Sequence, residues 1–273
     1  MTKEISIVTD STASIPPGLA TEKDIDVIPA IITSENTSYR DGVDIGMKEF
    51  MKLLEKSTLP TTAAPAPGQY IEVYERHPGK IISVHLGSGF SGIFSTAELA
   101  AREVGERVHP FDSQSASMGA GFMALRAADM AMQGATIEEI LEELNDMRSR
   151  TTVFAALNTL ENLRKGGRAT DIQYWLSSML QIKPILEIRD NRIGVADRQR
   201  TWRRCLNQLV NKTESLGLLD HVAVLYADTP DVAQDIAGQI RRFHPGDIMI
   251  GNIGPALATH GGPGIIGVAA VKR

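Results

Sequence analysis

The sequence predicts an α/β protein of two domains: an N-terminal, mostly parallel sheet covered by helices, and a C-terminal α/β domain with a mixed or antiparallel sheet. Three observations predict it. Through the first half, short β-branched runs alternate with helical stretches long enough to cross between parallel strands. Three of the four strands there run straight into polar or glycine-rich turns, where ligands collect in such sheets. In the second half a tight hairpin breaks the alternation, which a purely parallel sheet does not accommodate.

Taken in order, Ile5 to Val8 reads as the first strand and ends at Asp10-Ser11-Thr12; Val27 to Ile32, Ile81 to Leu86 and Val108 to Phe111 follow. Helical stretches lie near Met47 to Leu54, Pro67 to Arg76, Ile93 to Val104 and Ala116 to Met132. Pro60 to Gly68 is too short for a linker and reads as a structured loop. Thr136-Ile137-Glu138-Glu139 is a capping box that opens a helix to about Met147, and a strand follows at Thr151 to Ala156. The domain boundary is expected there, giving residues 1–150 and 151–273. Ile185 to Ile188 and Ile193 to Ala196 flank Arg189-Asp190-Asn191-Arg192 as a hairpin. A helix around Trp202 to Leu216, a strand at Val222 to Tyr226, a helix from Thr229 to Arg242, a strand at Ile248 to Gly251 and an apolar run from Ile265 to Val271 complete the chain.

Composition narrows the function. The chain has 273 residues, 42% hydrophobic and 22% charged, which is the profile of a globular protein with room for one large domain or two ordinary ones. Its 28 basic and 33 acidic residues give a formal charge of −5 without a basic block, which argues against a nucleic-acid surface. Met1-Thr2-Lys3-Glu4 leads into only a short apolar stretch and no later run reaches membrane-spanning length, so a cytoplasmic protein is expected. Cys205 is the sole cysteine, and the six histidines form no HExxH, so neither a disulfide nor a metal site is expected.

Gly87-Ser88-Gly89-Phe90-Ser91-Gly92 matches G-x-G-x-x-G, follows a strand and opens a helix, with Asp112 at the end of the next strand. That context admits a dinucleotide, and with it an NAD(P)-type oxidoreductase. The underlying physics is broader: backbone N–H groups converging at a helix N-terminus attract any anion, a carboxylate included, and a tight turn with no ligand uses the same glycines. His260 enters the run Gly261-Gly262-Pro263-Gly264, and with Ser91 and Asp112 it invites a serine-esterase reading. The order and spacing weigh against that: Gly89-Phe90-Ser91-Gly92-Ile93 misses G-x-S-x-G at its last position, and an HGG loop should precede the serine. Leu163-Arg164-Lys165-Gly166-Gly167-Arg168 ends a helix on paired glycines and leaves Arg168 beside the turn. Arg198, Arg200, Arg203 and Arg204 form a second basic cluster, either a solvated face or a docking surface for an acidic or phosphorylated partner. Ala116 to Met132, crowded with Ala, Gly and Met, is either a closely packed helix or the wall of an acyl-chain tunnel.

Seven features in order, Asp10-Ser11-Thr12, Tyr39 to Ile45, Thr62 with Pro65, Ser91-Gly92, Asp112-Ser113, Lys165 to Arg168 and His260 to Gly264, resemble the DegV family across nearly the whole chain. The resemblance implies a bacterial cytoplasmic protein of two α/β domains that buries the chain of a long-chain fatty acid within the protein with its carboxylate near the domain interface, with no catalysis and no cofactor of its own. It further implies that the bound acid is presented to a separate ATP-dependent fatty-acid kinase that makes the acyl phosphate for phospholipid synthesis, and it allows transient contact with a membrane. By position, Thr62, Ser91 with Gly92, and His260 should hold the carboxylate, with Thr61 the alternative to Thr62, while Arg168, Arg200 and Arg203 should face the kinase. The chain departs from the family at Ala63, Ala64 and Ala66 and at Ile93, where hydroxyl or amide side chains are common. Elementary energetics agree with the class: a buried carboxylate needs several donors, and an acyl chain of about sixteen carbons gains roughly 0.8 kcal/mol per buried CH₂ before ordering costs.

Overall fold

The computed structural model describes residues 4–56, 59–168 and 182–273. Met1, Thr2 and Lys3, on which part of the N-terminal reading rests, lie outside them. The first half contains β1 (Ile5–Asp10), α1 (Pro17–Glu22), β2 (Ile25–Ile28), β3 (Ile31–Ser34), β4 (Thr37–Arg40), α2 (Met47–Lys56), β5 (Thr61–Ala63), α3 (Pro67–Glu75), β6 (Lys80–His85), α4 (Ile93–Val104), β7 (Val108–Asp112), α5 (Met118–Met132) and α6 (Ile137–Arg150). The second contains β8 (Thr151–Ala156), α7 (Glu161–Lys165), β9 (Lys183–Arg189), β10 (Arg192–Gln199), α8 (Trp202–Glu214), β11 (Leu219–Tyr226), α9 (Pro230–Ile240), β12 (Ile248–Asn252), α10 (Pro255–Gly261) and β13 (Ile266–Lys272).

Strands β2-β1-β6-β7 pair in parallel as a four-stranded sheet. A six-stranded sheet of order β10-β9-β8-β13-β11-β12 is antiparallel except for its β11–β12 edge, the mixed sheet expected of the second half. The expected single strand from Val27 to Ile32 is two. Pro29 donates no ladder hydrogen bond, and the chain breaks there between β2 and β3. β3 then pairs with β4 and β5 as a small antiparallel sheet, and β5 is the structure inside the proline- and alanine-rich loop.

Alternation of side chains across each strand stacks these elements into five layers. On the parallel sheet, Val8, Ile28 and Ile81 face α3 and α4, against Tyr70, Tyr74 and Ala97, while Ile7, Ile82 and Val84 face inward. α5 lies between the two sheets, packed on β1 and β6 on one side and β8 and β13 on the other. Its small residues serve that packing. A Cβ on Gly121 would stand 2.6 Å from the Ala13 carbonyl, and one on Gly119 2.8 Å from Val153. The tunnel-wall reading of Ala116 to Met132 therefore narrows to Ala116 and Ser117, which reach the cavity described below. On the six-stranded sheet, Phe154, Ala156 and Ile185 face α8 and α9, and burial of a side chain the size of Phe154 or Ile185 contributes about 1.5–3 kcal/mol.

Candidate functional site

Between the halves lies a cavity, a position where small-molecule sites commonly form. Its walls are mostly apolar: Leu86 and Phe90 from the first half face Val153, Leu157, Leu186 and Ile188 from the second. Parity explains the second set, because Val153 and Ala155 of β8 point to the opposite face from Phe154 and Ala156. The polar side chains on the wall are Thr12, Thr62, Ser91, Ser117, Arg168 and His260.

Four of these, Thr62, Ser91, Arg168 and His260, are tied to one another or to neighbouring backbone. Thr62 Oγ1 and His260 Nε2 share a hydrogen bond of 2.8 Å across 198 residues of sequence. Ser91 Oγ accepts from Ile93 N at 3.3 Å at the start of α4, where Gly92 is the N-cap and has no side chain to do so. Arg168 donates Nε to the Phe90 carbonyl at 3.3 Å and Nη1 to the Gly166 carbonyl at 2.7 Å, which sets its guanidinium between the Ser91 turn and His260. Burial, reinforced by the Arg168 charge, lowers the His260 pKa to about 4, so the imidazole is neutral at neutral pH. Its Nδ1 is buried without a hydrogen-bond partner. An anion entering here would meet two hydroxyls, a neutral imidazole and one guanidinium, with an apolar cavity behind it.

His260 does not sit in a glycine loop, as the sequence implies, but in the last turn of α10. Gly254-Pro255 is the start signal that sequence reading passed over, since proline is favoured at the first helical position. Thr61 is not brought to the cavity: it neighbours Thr62 on β5 and faces the other way, exposed. Arg168 parts company with Arg200 and Arg203. It lines the cavity, whereas the other two are exposed, after β10 and in the first turn of α8, and α8 covers the face of the six-stranded sheet remote from the cavity. Thr12 and Ser117, given no site role of their own from the sequence, also line the cavity; the Ser117 hydroxyl donates to Ser14 at 3.0 Å and that of Thr12 to Asp10. Asp10 is itself fully buried and also accepts from Thr12 N, His85 Nδ1 and Leu86 N at 3.0 to 3.1 Å, which fixes the turn that carries Thr12.

The glycine turn is already filled by protein. Asp190 and Asn191, both at positive φ, form the two-residue tip of the β9–β10 hairpin. Gly89 N donates to Asn191 Oδ1 at 3.1 Å, and Ser88 N donates to Asp112 Oδ1 at 3.1 Å. Asn191 Nδ2 donates to Asp112 Oδ2 at 2.9 Å. A Cβ on Gly87 or Gly89 would stand 2.4 or 2.3 Å from Asn191, so these glycines admit the hairpin tip. The donors and the acidic residue that a dinucleotide would use are thus engaged, which corrects the dinucleotide reading. The esterase reading fails on the same geometry, because Asp112 serves Ser88 and Asn191 while His260 pairs with Thr62. Cys205 offers no nucleophile: burial pushes its thiol up to about 12. Among the described residues no cluster of His, Cys, Asp and Glu could hold a metal ion, and no helix is long and apolar enough to cross a membrane.

Residues 4–273 match the family model described as uncharacterised protein, DegV family. Protein DegV of Bacillus subtilis is 32% identical over 97% of this chain and 98% of its own length. A DegV domain-containing protein of Staphylococcus aureus is 33% identical over the whole of both chains. Among solved structures, a fatty-acid-binding DegV family protein from Thermus thermophilus superposes with a TM-score of 0.92 at 30% identity, over 99% of this chain and 100% of that one. DegV of Bacillus subtilis, described as a fatty acid binding protein, gives 0.88 at 29% identity over 100% of both.

Proposed function

The chain belongs to the DegV family, and from that premise we propose that it binds a long-chain fatty acid, chain in the apolar cavity and carboxylate at Thr62, Ser91, His260 and Arg168. The observation that carries the proposal is the Thr62–His260 hydrogen bond with the Arg168 charge beside His260 and Ser91 on the same mostly apolar wall. Ser91 Oγ spends a lone pair on Ile93 N and keeps its proton to donate. Thr62 does the same when the His260 tautomer carries its proton on Nε2. Arg168, held by two carbonyls, supplies the countercharge that a buried carboxylate requires. The apolar walls then take the chain at roughly 0.8 kcal/mol per methylene.

The protein acts as a carrier. It presents the carboxyl group to a separate ATP-dependent fatty-acid kinase, with Arg200 and Arg203 on the exposed docking surface and no catalytic residue or cofactor of its own. The division at residues 150 and 151 suits such a carrier, since α6 ends and β8 begins there and residues from both halves line the cavity. Organic extraction of the purified protein followed by mass spectrometry tests the proposal. Roughly stoichiometric fatty acid supports it; a nicotinamide cofactor, or ester turnover lost in Ser91→Ala, overturns it.

A further inference from the structure

Two motifs that the carboxylate site leaves unexplained, Asp10-Ser11-Thr12 and Tyr39 to Ile45, meet at the N-terminus of α10. Asp41 is 3% exposed. Its Oδ2 accepts the Ser11 hydroxyl at 2.7 Å, and its Oδ1 accepts Ala256 N, in the first turn of α10, at 3.3 Å. Ser11 Oγ in turn accepts Ala30 N at 3.0 Å, and Asp41 N donates to the Ala30 carbonyl at 2.9 Å. Gly254, at φ +84°, carries the chain past the carboxylate at contact distance: a Cβ there would stand 3.7 and 3.8 Å from its two oxygens. Asp44 closes the loop that delivers Asp41, accepting Arg40 N, Nε and Nη2 at 2.8 to 2.9 Å.

α10 has seven residues, too few to be stable alone, so its placement depends on what holds its ends. Asp41 holds the first end; the last turn carries His260. We propose that Asp41 is a positioning residue for the carboxylate site: through α10, its carboxylate sets the His260 imidazole against Thr62. The proposal rests on the head-group reading given above, and it assigns a role to a residue on a different element from all four ligand groups.

The surroundings of Asp41 make the coupling measurable. The groups facing it are Ser11, the Ala256 N–H and, from the end of β1, the like charge of Asp10; Arg40 and Asp44 are paired with each other. Among the described residues no basic side chain forms an ion pair with it. Burial therefore raises its pKa to about 6, while that of His260 is lowered to about 4. Between pH 5 and 7 Asp41 titrates and His260 stays neutral.

The test is nitrogen NMR of the full-length, lipid-free protein labelled at histidine, with the His260 signals assigned by their loss in His260→Gln. The expected result is a step in the His260 ring shifts with a midpoint near pH 6, absent in Asp41→Asn. In Asp41→Ala the ring should titrate near its ordinary value of about 6.5, and affinity for a fluorescent fatty acid should fall at least about tenfold, the loss of one good hydrogen bond. Flat His260 shifts in the wild type, or the same step in Asp41→Asn, would overturn the proposal. Should Asp41→Ala not fold, Asp41→Asn, which keeps an acceptor oxygen in place, decides it alone. A step lost in Asp41→Asn, with fatty acid bound neither by the wild type nor by any variant, supports the coupling and overturns the head-group reading.

Discussion

Gly166 lacks a side chain where His260 needs the space: a Cβ built on it would stand 2.5 Å from His260 Nδ1. The first glycine of Lys165 to Arg168 thus makes room for an imidazole on another helix, while its carbonyl anchors Arg168. Gly166→Ala should displace His260 from Thr62 and weaken fatty-acid binding by about 1–3 kcal/mol. Gly167→Ala has open space around the new methyl but a φ of +71°, so it should cost stability instead. Affinity by fluorescent fatty-acid titration and stability by urea denaturation separate the two; equal affinity loss in both would refute the cradle.

The head-group side chains are predicted to act singly. Ser91→Ala, Thr62→Val and His260→Ala should each weaken binding by about 1–3 kcal/mol, with folding intact because each removes a donor or its partner rather than core volume. Thr61→Ala, on the opposite face of β5, should bind as the wild type does. A loss in Thr61→Ala matching that in Thr62→Val would reverse the assignment within the pair.

The arginines should divide by location. Arg168→Ala removes the charge on the cavity wall and should lower fatty-acid affinity. Arg200→Ala combined with Arg203→Ala, both exposed, should leave bound lipid in place while acyl-phosphate formation with a cognate kinase falls. Loss of lipid from the double variant, or none from Arg168→Ala, would contradict the division.

The hairpin tip should act as a clasp between the halves. Asn191→Ala leaves Gly89 N without its acceptor and removes one of the two donors to Asp112 Oδ2, and should destabilise by about 1–3 kcal/mol in urea. Gly89→Ala should cost more, because its methyl would stand 2.3 Å from the Asn191 carbonyl, a backbone atom. A Gly89→Ala protein as stable as the wild type would show that the clasp is not needed.

Stability should carry two opposing pH terms. The His260 pKa is lowered to about 4, so the unfolded chain takes up its proton first as pH falls. That contribution is complete above about pH 6.5 and is lost on the way down to 4. Asp41 is raised to about 6, so its contribution is complete below about pH 4 and is lost as pH rises through 6. Each is worth roughly 3 kcal/mol. Asp41→Asn should therefore make stability climb from pH 4 to 6.5, and His260→Gln should make it fall; parallel profiles for both variants would contradict the assignments.

How much of this was legible follows from the range of each interaction. Local signals worked where chain neighbours decide: the Thr136 and Glu139 capping box opens α6, and Asp190-Asn191 turns the β9–β10 hairpin as its sequence predicts. The short β3–β5 sheet was not legible, because its strands are three or four residues long and are set by pairing across the Pro29 break. At the site, the resemblance picked out Thr62, Ser91 and His260, yet nothing local distinguishes Thr62 from Thr61 until strand parity does. The glycine turn misled for a similar reason. Glycines that admit an asparagine from a hairpin a hundred residues away read in sequence like glycines that admit a phosphate.

The central claim is that a fatty-acid carboxylate is held ionised by Ser91, Arg168 and Thr62, the last oriented by His260. Carbon NMR of the complex with fatty acid labelled at its carboxyl carbon tests it most directly. The account predicts one bound resonance, displaced from that of free fatty acid and flat with pH until below the ordinary carboxyl value of roughly 4.3, with the midpoint moving upward in Ser91→Ala and further in Arg168→Ala. A bound carboxyl that titrates at its ordinary value and ignores both substitutions would contradict it.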